Sequence, residues 1–515
     1  MAFCSGLAHA QYPHTIWEFD GTSAEPGFGS TIGSAGDVNL DGYSDILVGI
    51  SGLNHVRVYS GVDGTILLTV GGPPGTHSFG AQVCGLGDQN GDGVPDFAVS
   101  DPNYERAGML NVGAVGVFSG ISGELLWQDF GDDAGWLWGS AICNAGDLNN
   151  DGISDLAIGS EHPAAEQGVV RVFTGGTGAL LYEVFGITND AKGFGCALAG
   201  AGSRDWFSSY GSLIVGAYLT EVWGLIEAGE ALVFEGPSGD LVRRRSGTEA
   251  YNHFGKSLDG YGDVDRDGVS DYLVGSPDFD GGANQSGKVE LLSYDPNPIL
   301  LWSRSGTRDY EHYGAITRFC GDIDGDGIDD VLVGNLDDSP FWTGPGYVDV
   351  LSGVDGHVLW SLEGKATGQL FGTTIAPAGD VDGDGYEDLM VNGWDNIFTA
   401  DGYLRVYGGI SAAHELGLLT PSVLTAGTAS LNWVTGAAPG SFVSLYIGTG
   451  LGRSFRDSAL GIENASTVAY VDAGRNGTAR MNIFLPPSFA GTPIWMQASN
   501  HGEDRLSNIE FRIVR

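Results

Sequence analysis

The sequence predicts an all-β chain: a seven-bladed β-propeller whose N-terminal strand closes the last blade, followed by a small C-terminal β-sandwich. Three observations predict it. The 86 glycines among 515 residues are scattered through the chain, as turns between many short strands require. An aromatic-Gly pair recurs seven times, as Phe28-Gly29, Phe79-Gly80, Trp138-Gly139, Phe194-Gly195, Phe254-Gly255, Tyr313-Gly314 and Phe371-Gly372, at intervals of 51 to 60 residues. Six of these pairs lead into an Asp-rich loop and a short apolar run. A fixed period of this length marks a repeat architecture, and no amphipathic helical stretch interrupts it.

The elements follow in order. Residues 1–10 read as the remnant of a signal peptide, because Ala8-His9-Ala10 before Gln11 has the small-x-small form of a cleavage site. The basic n-region is missing and the apolar part is short, so a frayed N-terminus is the competing reading. Residues 11–414 form the propeller. In the first repeat, four strands fall at about 29–36, 45–50, 56–60 and 65–71. The third strand and its turn recur as Val58-Tyr59-Ser60-Gly61, Val117-Phe118-Ser119-Gly120 and Val350-Leu351-Ser352-Gly353. Four antiparallel strands, seven times over, fit blades around a channel. The seventh repeat lacks a fourth strand, and residues 14–20 resemble the fourth strands elsewhere. The N-terminal strand is therefore expected to complete that blade and remove the open edge. From residue 415 to 515 the acidic repeats stop. Short β-rich runs at 429–434, 442–447, 466–471, 478–485, 493–499 and 509–514 fit an Ig-like β-sandwich.

The loops carry the chemistry. Each spaces oxygen donors at positions 1, 3, 5 and 9, with a backbone carbonyl at 7 and Gly at 6 for the sharp turn. The candidate ligands are Asp37, Asn39, Asp41, Tyr43 and Asp45 in repeat 1; Asp88, Asn90, Asp92, Val94 and Asp96 in repeat 2; and Asp147, Asn149, Asp151, Ile153 and Asp155 in repeat 3. Repeats 5 to 7 supply Asp263, Asp265, Asp267, Val269 and Asp271; Asp322, Asp324, Asp326, Ile328 and Asp330; and Asp380, Asp382, Asp384, Tyr386 and Asp388. Oxygen-only ligands with loose geometry suit Ca²⁺ over Mg²⁺, and the absence of Cys or His argues against zinc and copper. No Glu stands at position 12 and no helix pattern follows, so the loops are not EF-hands. Six Ca²⁺ would bring the net charge from −42 to about −30. Affinities are expected in the weak range of extracellular modules, roughly 10⁻⁴ to 10⁻³ M.

The aromatic-Gly pair, the acidic loop and the following Val215-Gly216-Ala217 or Val274-Gly275-Ser276-Pro277 resemble the FG-GAP repeats of integrin α-chain propellers, in a secreted bacterial-type form. The resemblance covers residues 14–414. It implies an extracellular or cell-surface, adhesion-type module that meets protein or carbohydrate ligands on the rim opposite the calcium loops. That rim would carry Tyr104, Trp136, Trp223, Tyr251, Phe279, Tyr310, Phe341, Trp342 and Trp394, either as contact groups or as rings packing the loops. The fourth repeat, without a metal loop but with Trp206, Phe207 and Trp223, is a place for specialisation.

Other classes fare worse. The net charge repels nucleic acid and anionic membranes, and no stretch is long and apolar enough to span a bilayer. The chain is expected to act as a monomer. Five cysteines are too few for a disulfide scaffold, and Cys84, Cys143, Cys196 and Cys320 read as free thiols, with a bridge between neighbouring repeats as the alternative. A polysaccharide-active glycosidase or lyase on the same scaffold is the competing function, since fold alone does not decide. His253 and His312 hold equivalent repeat positions and read as loop-stabilising hydrogen bonders rather than a catalytic pair.

Overall fold

The structure is a computed structural model that describes residues 14–161, 168–186, 193–202, 210–281, 283–294, 299–335, 345–365, 370–394 and 402–409, and beyond these a set of C-terminal strands. The chain divides into two compact units, Met1–Gly409 and Ile410–Arg515. Residues 1–10, Phe341, Trp342, Trp206 and Phe207 lie outside the described residues.

The first unit is a seven-bladed β-propeller. Blade 1 contains the strands Phe28–Gly36, Asp45–Ile50, His55–Tyr59 and Ile66–Gly71, hydrogen-bonded in that order. Blades 2 to 6 repeat the same meander over 83–130, 141–185, 194–246, 257–305 and 316–363. The first strand of each blade touches the first strand of the next, and that of blade 7 returns to that of blade 1, so the ring is closed. Blade 7 takes three strands from Ile375–Gly379, Asp388–Trp394 and Gly402–Tyr407, and its fourth is Thr15–Asp20. That strand pairs antiparallel, with Glu18 opposite Arg405 and Asp20 opposite Tyr403.

The repeat motifs have clear mechanical roles. The second strand of each of the first five blades is buried along its whole length, as an apolar run packed on both faces must be. Each aromatic of the aromatic-Gly pairs is at most 3% exposed and wedges between blades, a burial that stabilises by about 1.5–3 kcal/mol per side chain. The glycine that ends the second strand lets the next blade approach. A Cβ on Gly275 would stand 2.0 Å from the carbonyl oxygen of Gly314, and one on Gly159 2.4 Å from that of Gly195. The outer edges are sealed similarly. Trp302 of blade 5 donates its Nε1–H to the Gly353 carbonyl of blade 6 at 2.6 Å, and Trp17 of the closing strand does the same to Gly61 of blade 1 at 2.6 Å. The ring's last joint is thus built like an ordinary one.

The second unit contains a four-stranded sheet in the order Ser466–Asp472, Phe442–Gly448, Ile494–Asn500 and Arg505–Phe511, and a pair formed by Ala429–Val434 and Ala479–Ile483. The last strand lies several residues earlier than its apolar run at 509–514 suggests.

Candidate metal centre

All six acidic loops connect the first and second strands of their blades and share one backbone. Position 6 is a glycine with φ between 81° and 94°. Position 4 is also left-handed, with Leu40, Asn150 and Arg266 at φ 60° to 63° and glycine in the other three loops. Two left-handed residues flanking position 5 turn the chain back on itself, so the side chains at 1, 3 and 5 converge on the loop's own amides. In loop 1, Asp37 accepts from the amides of Asp41 and Gly42 at 3.0 and 2.8 Å, Asn39 from Asp41 at 3.0 Å and Asp41 from Tyr43 at 3.0 Å. Loop 6 repeats this with Asp322, Asp324 and Asp326. The position-1 aspartate holds amides with both carboxylate oxygens, and because each such oxygen has two lone pairs the converging side chains keep acceptor capacity for a cation.

Position 9 is different in kind. Asp45, Asp96, Asp155, Asp271, Asp330 and Asp388 are fully buried. One oxygen of each accepts the amide of position 2, as from Val38 at 2.9 Å and Leu148 at 2.8 Å. In five blades the other accepts the amide of the glycine after the third strand: Gly61, Gly120, Gly175, Gly353 and Gly409. In those five blades this aspartate therefore pins the loop to the chain just after the third strand of its own blade.

Blade 5 breaks the pattern. Tyr294 stands where the others have glycine, and Asp271 Oδ1 finds no hydrogen-bond donor among the described residues; Asp263 Oδ1 is in the same state. Two buried carboxylate oxygens without donors in one loop are oxygens that a divalent cation would satisfy.

Carboxylate oxygens at positions 1, 3 and 9 come within 4.8 Å of one another in three loops, as Asp263–Asp265–Asp271, Asp322–Asp324–Asp330 and Asp380–Asp382–Asp388. The fifth-position Asp267, Asp326 and Asp384 stand outside these triads, each with Oδ1 on the amide of position 7. In loops 1 to 3, position 3 is Asn39, Asn90 or Asn149, which lowers the charge without removing the oxygen. The electrostatics follow. Burial raises the carboxyls of Asp45 and Asp155 to about 6, although two backbone amides favour their charged form. In the all-Asp loops, burial and the neighbouring carboxylates raise Asp271 and Asp388 to about 7 and Asp330 to about 8. Each loop holds negative charge in a place that disfavours it, and a divalent cation at the convergence would reverse that.

The loops also join hands along the rim. The amide of Ser44 in blade 1 donates to the Asp380 carbonyl of blade 7 at 2.9 Å. Arg266 of blade 5 donates to the Asp326 carbonyl of blade 6 at 2.8 Å, and Gln89 of blade 2 to the Ser154 carbonyl of blade 3 at 2.9 Å.

On the opposite rim the aromatics divide. Tyr104 packs on Phe130 and Trp136 on Trp138, Phe279 lies under the Lys288 ammonium, and Trp394 donates to Thr373 Oγ1 at 3.2 Å. These rings hold loops. Trp223 is 87% exposed, and Tyr251 and Tyr310 are also exposed. Beneath them Asp278 bridges two imidazoles, taking His312 Nδ1 at 2.9 Å and His253 Nδ1, while His253 Nε2 reaches Glu227 at 3.1 Å. Burial opposes it, yet the bonds from both histidines hold the Asp278 carboxyl far below the usual range. Burial likewise lowers His253, and Asp278 and Glu227 more than restore it. The histidines thus tie together loops of blades 4, 5 and 6. Cys84, Cys143 and Cys196 are free and half-buried, and Cys320 is free and buried.

No family model matches the sequence. It is 26% identical over 411 residues to human phosphatidylinositol-glycan-specific phospholipase D, covering 65% of this chain and 45% of that protein. It is 30% identical over 205 residues to mouse integrin alpha-8, covering 36% of this chain and 19% of that one. Drosophila melanogaster integrin alpha-PS2 is 30% identical over 175 residues, 30% of this chain and 12% of the relative. The chain thus spans less than half the length of each. Among the described residues no helix is long and apolar enough to cross a membrane.

Proposed function

We propose that this chain is an extracellular, adhesion-type propeller whose acidic loops bind Ca²⁺, up to six ions, and whose opposite rim recognises a protein or glycan. The observation that carries the metal reading is the blade 5 loop, where a carboxylate triad converges and two buried oxygens lack donors. Loop contacts between blades 5 and 6 and between blades 7 and 1 let bound ions stiffen the ring. The similarity to integrin α chains supports the adhesion reading.

Trp223 supports the choice of rim. It sits at φ 51° beside Gly224 at the tip of a tight hairpin closed by Val222 and Leu225, a conformation that bulky residues avoid. Blade 2 makes the same hairpin between Arg106 and Met109 with Ala107-Gly108. The turn does not need an indole, so the indole serves contact rather than folding.

The test has two arms. Thermal unfolding in millimolar CaCl₂ and then in excess EDTA should show a large loss of stability on chelation; an unmoved curve would refute the metal reading. Binding to glycan and extracellular-protein arrays should weaken at least tenfold in Trp223→Ala, with melting unchanged.

The similarity to phosphatidylinositol-glycan-specific phospholipase D favours a second reading, a glycan-directed enzyme built on the same scaffold. A panel of glycosidase, lyase and phospholipase substrates tests it, and turnover above a buffer blank would move the function there.

A further inference from the structure

Alternate residues of a blade's third strand face the seam with the preceding blade, as Tyr59 and Phe118 do, and three blades place an arginine at one equivalent register position on that side. Arg171 lies opposite Glu183 in its sheet, Arg405 opposite Glu18 and Arg57 opposite Thr69. Each guanidinium is paired with carboxylates at the seam. Arg171 Nε donates to Glu183 at 2.6 Å and its Nη2 to Asp132, Arg57 reaches Glu25 at 2.6 Å, and Arg405 Nε lies 3.6 Å from Glu18. Two also lie over the aromatic of the aromatic-Gly pair, Arg171 at 5.0 Å from the Trp138 ring centre and Arg405 at 5.8 Å from that of Phe371. A guanidinium between an aromatic face and an acid is thus a recurrent seam filling in this ring.

In blade 2 that register position is Gly116, opposite Gln128. The blade 1–2 seam holds a pocket of about 330 Å³ where the arginine would lie. Its wall includes Phe79, the aromatic of this blade's pair, together with Tyr104, Asp101, Thr69, Leu125 and Gln128. Thr69, Leu125 and Gln128 are exposed, so the pocket opens to solvent. Asp101 is 1% exposed. Its Oδ1 accepts from Ser78 and Asn103, whereas Oδ2 accepts from the His77 amide at 3.0 Å, which leaves that oxygen capacity for another donor. At the matching position of blade 3 the residue is Ser160, and of blade 1 Ile50. Blades 4, 5 and 6 carry Leu232, Glu290 and Asp349 at the register position, so blade 2 alone has no side chain there, and its seam has a buried acid in its wall.

We propose that this pocket binds a guanidinium supplied from outside the chain, as an arginine residue of a partner or as free arginine, and that the incoming group completes the seam as Arg171 and Arg405 complete theirs. The pocket excludes the neutral isostere by its acid, and it favours guanidinium over ammonium by the flat ring of Phe79 and the planar fork that Asp101 and Gln128 can meet.

The experiment is calorimetric titration of the full chain in millimolar CaCl₂, so that the acidic loops are filled. The probes are N-acetyl-arginine amide, free arginine, N-acetyl-lysine amide and N-acetyl-citrulline amide. Saturable binding of the arginine amide with Kd on the order of 1 mM, at least tenfold tighter than the lysine and citrulline probes, is the expected result. Equal or weaker response to free arginine points to an arginine residue as the source, and a stronger one to the free amino acid. Gly116→Arg should melt higher and lose the response, because the seam is then filled from within. Since Leu125 and Phe118 must shift to admit that side chain, Thr69→Trp, which blocks the mouth from an exposed position, is the second variant and should weaken binding at least tenfold. No binding by the wild type, equal binding of the lysine probe, or full binding by Thr69→Trp overturns the proposal.

Discussion

At the scale of the residue, the ninth loop position is the most consequential. Asp155 is buried and takes the amides of Leu148 and Gly175, so Asp155→Ala strands two buried donors as well as a metal ligand. We expect a loss of about 2–4 kcal/mol in chemical denaturation even in EDTA. The raised carboxyls give a second prediction. In metal-free protein these ninth-position carboxyls bind protons more tightly in the folded state than in the unfolded chain, so their contribution to stability is fully present below the ordinary carboxylate value. It should fall as the pH rises from about 4, the ordinary carboxylate value, through the folded values of about 6 to about 8. Melting of the chelated protein at pH 5 and pH 8 should show this decline, and saturating CaCl₂ should flatten it. The sequence pattern identified positions 1, 3, 5, 6 and 9 because their chemistry is restricted. It was silent on position 4, where Leu40, Asn150 and Arg266 share only a backbone conformation. It also read the ninth aspartate as a ligand alone, since its bonds to position 2 and to the third-strand turn become visible only in three dimensions.

At the scale of the element, the loops fall into two classes. Loops 5 to 7 bring three carboxylates together, whereas loops 1 to 3 have asparagine at position 3. Charge count tunes calcium affinity in such loops, so titration calorimetry should resolve two sets of sites, the tighter set weakened by Asp265→Asn, Asp324→Asn and Asp382→Asn. Blade strands were legible almost to the residue, because alternating apolar runs bounded by glycine leave little freedom in register. The opposite rim was less so. Its nine aromatics look alike in sequence, yet Trp394 and Trp136 are packed while Trp223 is bare. Whether a loop ring faces the blade or the solvent depends on the fold of the hairpin that carries it, and local composition does not encode that. His253 and His312, read as loop-stabilising hydrogen bonders from their repeat equivalence, do bond to the loops, and the sequence did not show that both meet one carboxylate, Asp278.

At the scale of the whole molecule, ring closure was legible because the seventh repeat is one strand short and residues 14–20 match what it lacks. Removing the chain through Asp20 exposes the edge of Gly402–Tyr407, loses the Trp17–Gly61 bond and uncovers the blade 7–1 core around Phe19. The melting temperature should drop by ~10 °C or more; an unchanged transition would show that six and three-quarter blades suffice. A sandwich built on the four-stranded C-terminal sheet and the Ala429–Val434/Ala479–Ile483 pair is the proposal for the second unit, to be tested by its folding as an isolated fragment.

The same joint sets a schedule for biosynthesis. Thr15 and its partner Tyr407 lie about 390 residues apart in the chain, so at about 5–20 residues per second a ribosome delivers the partner roughly 20–80 s after the closing strand. Throughout that interval Trp17 and Phe19 have blade 1 beside them but no blade 7 strand to pair with. A strand made before all seven blades is thus the last one seated, and a nascent chain with an unpaired aromatic β-strand waiting on it is a natural client for a holding chaperone.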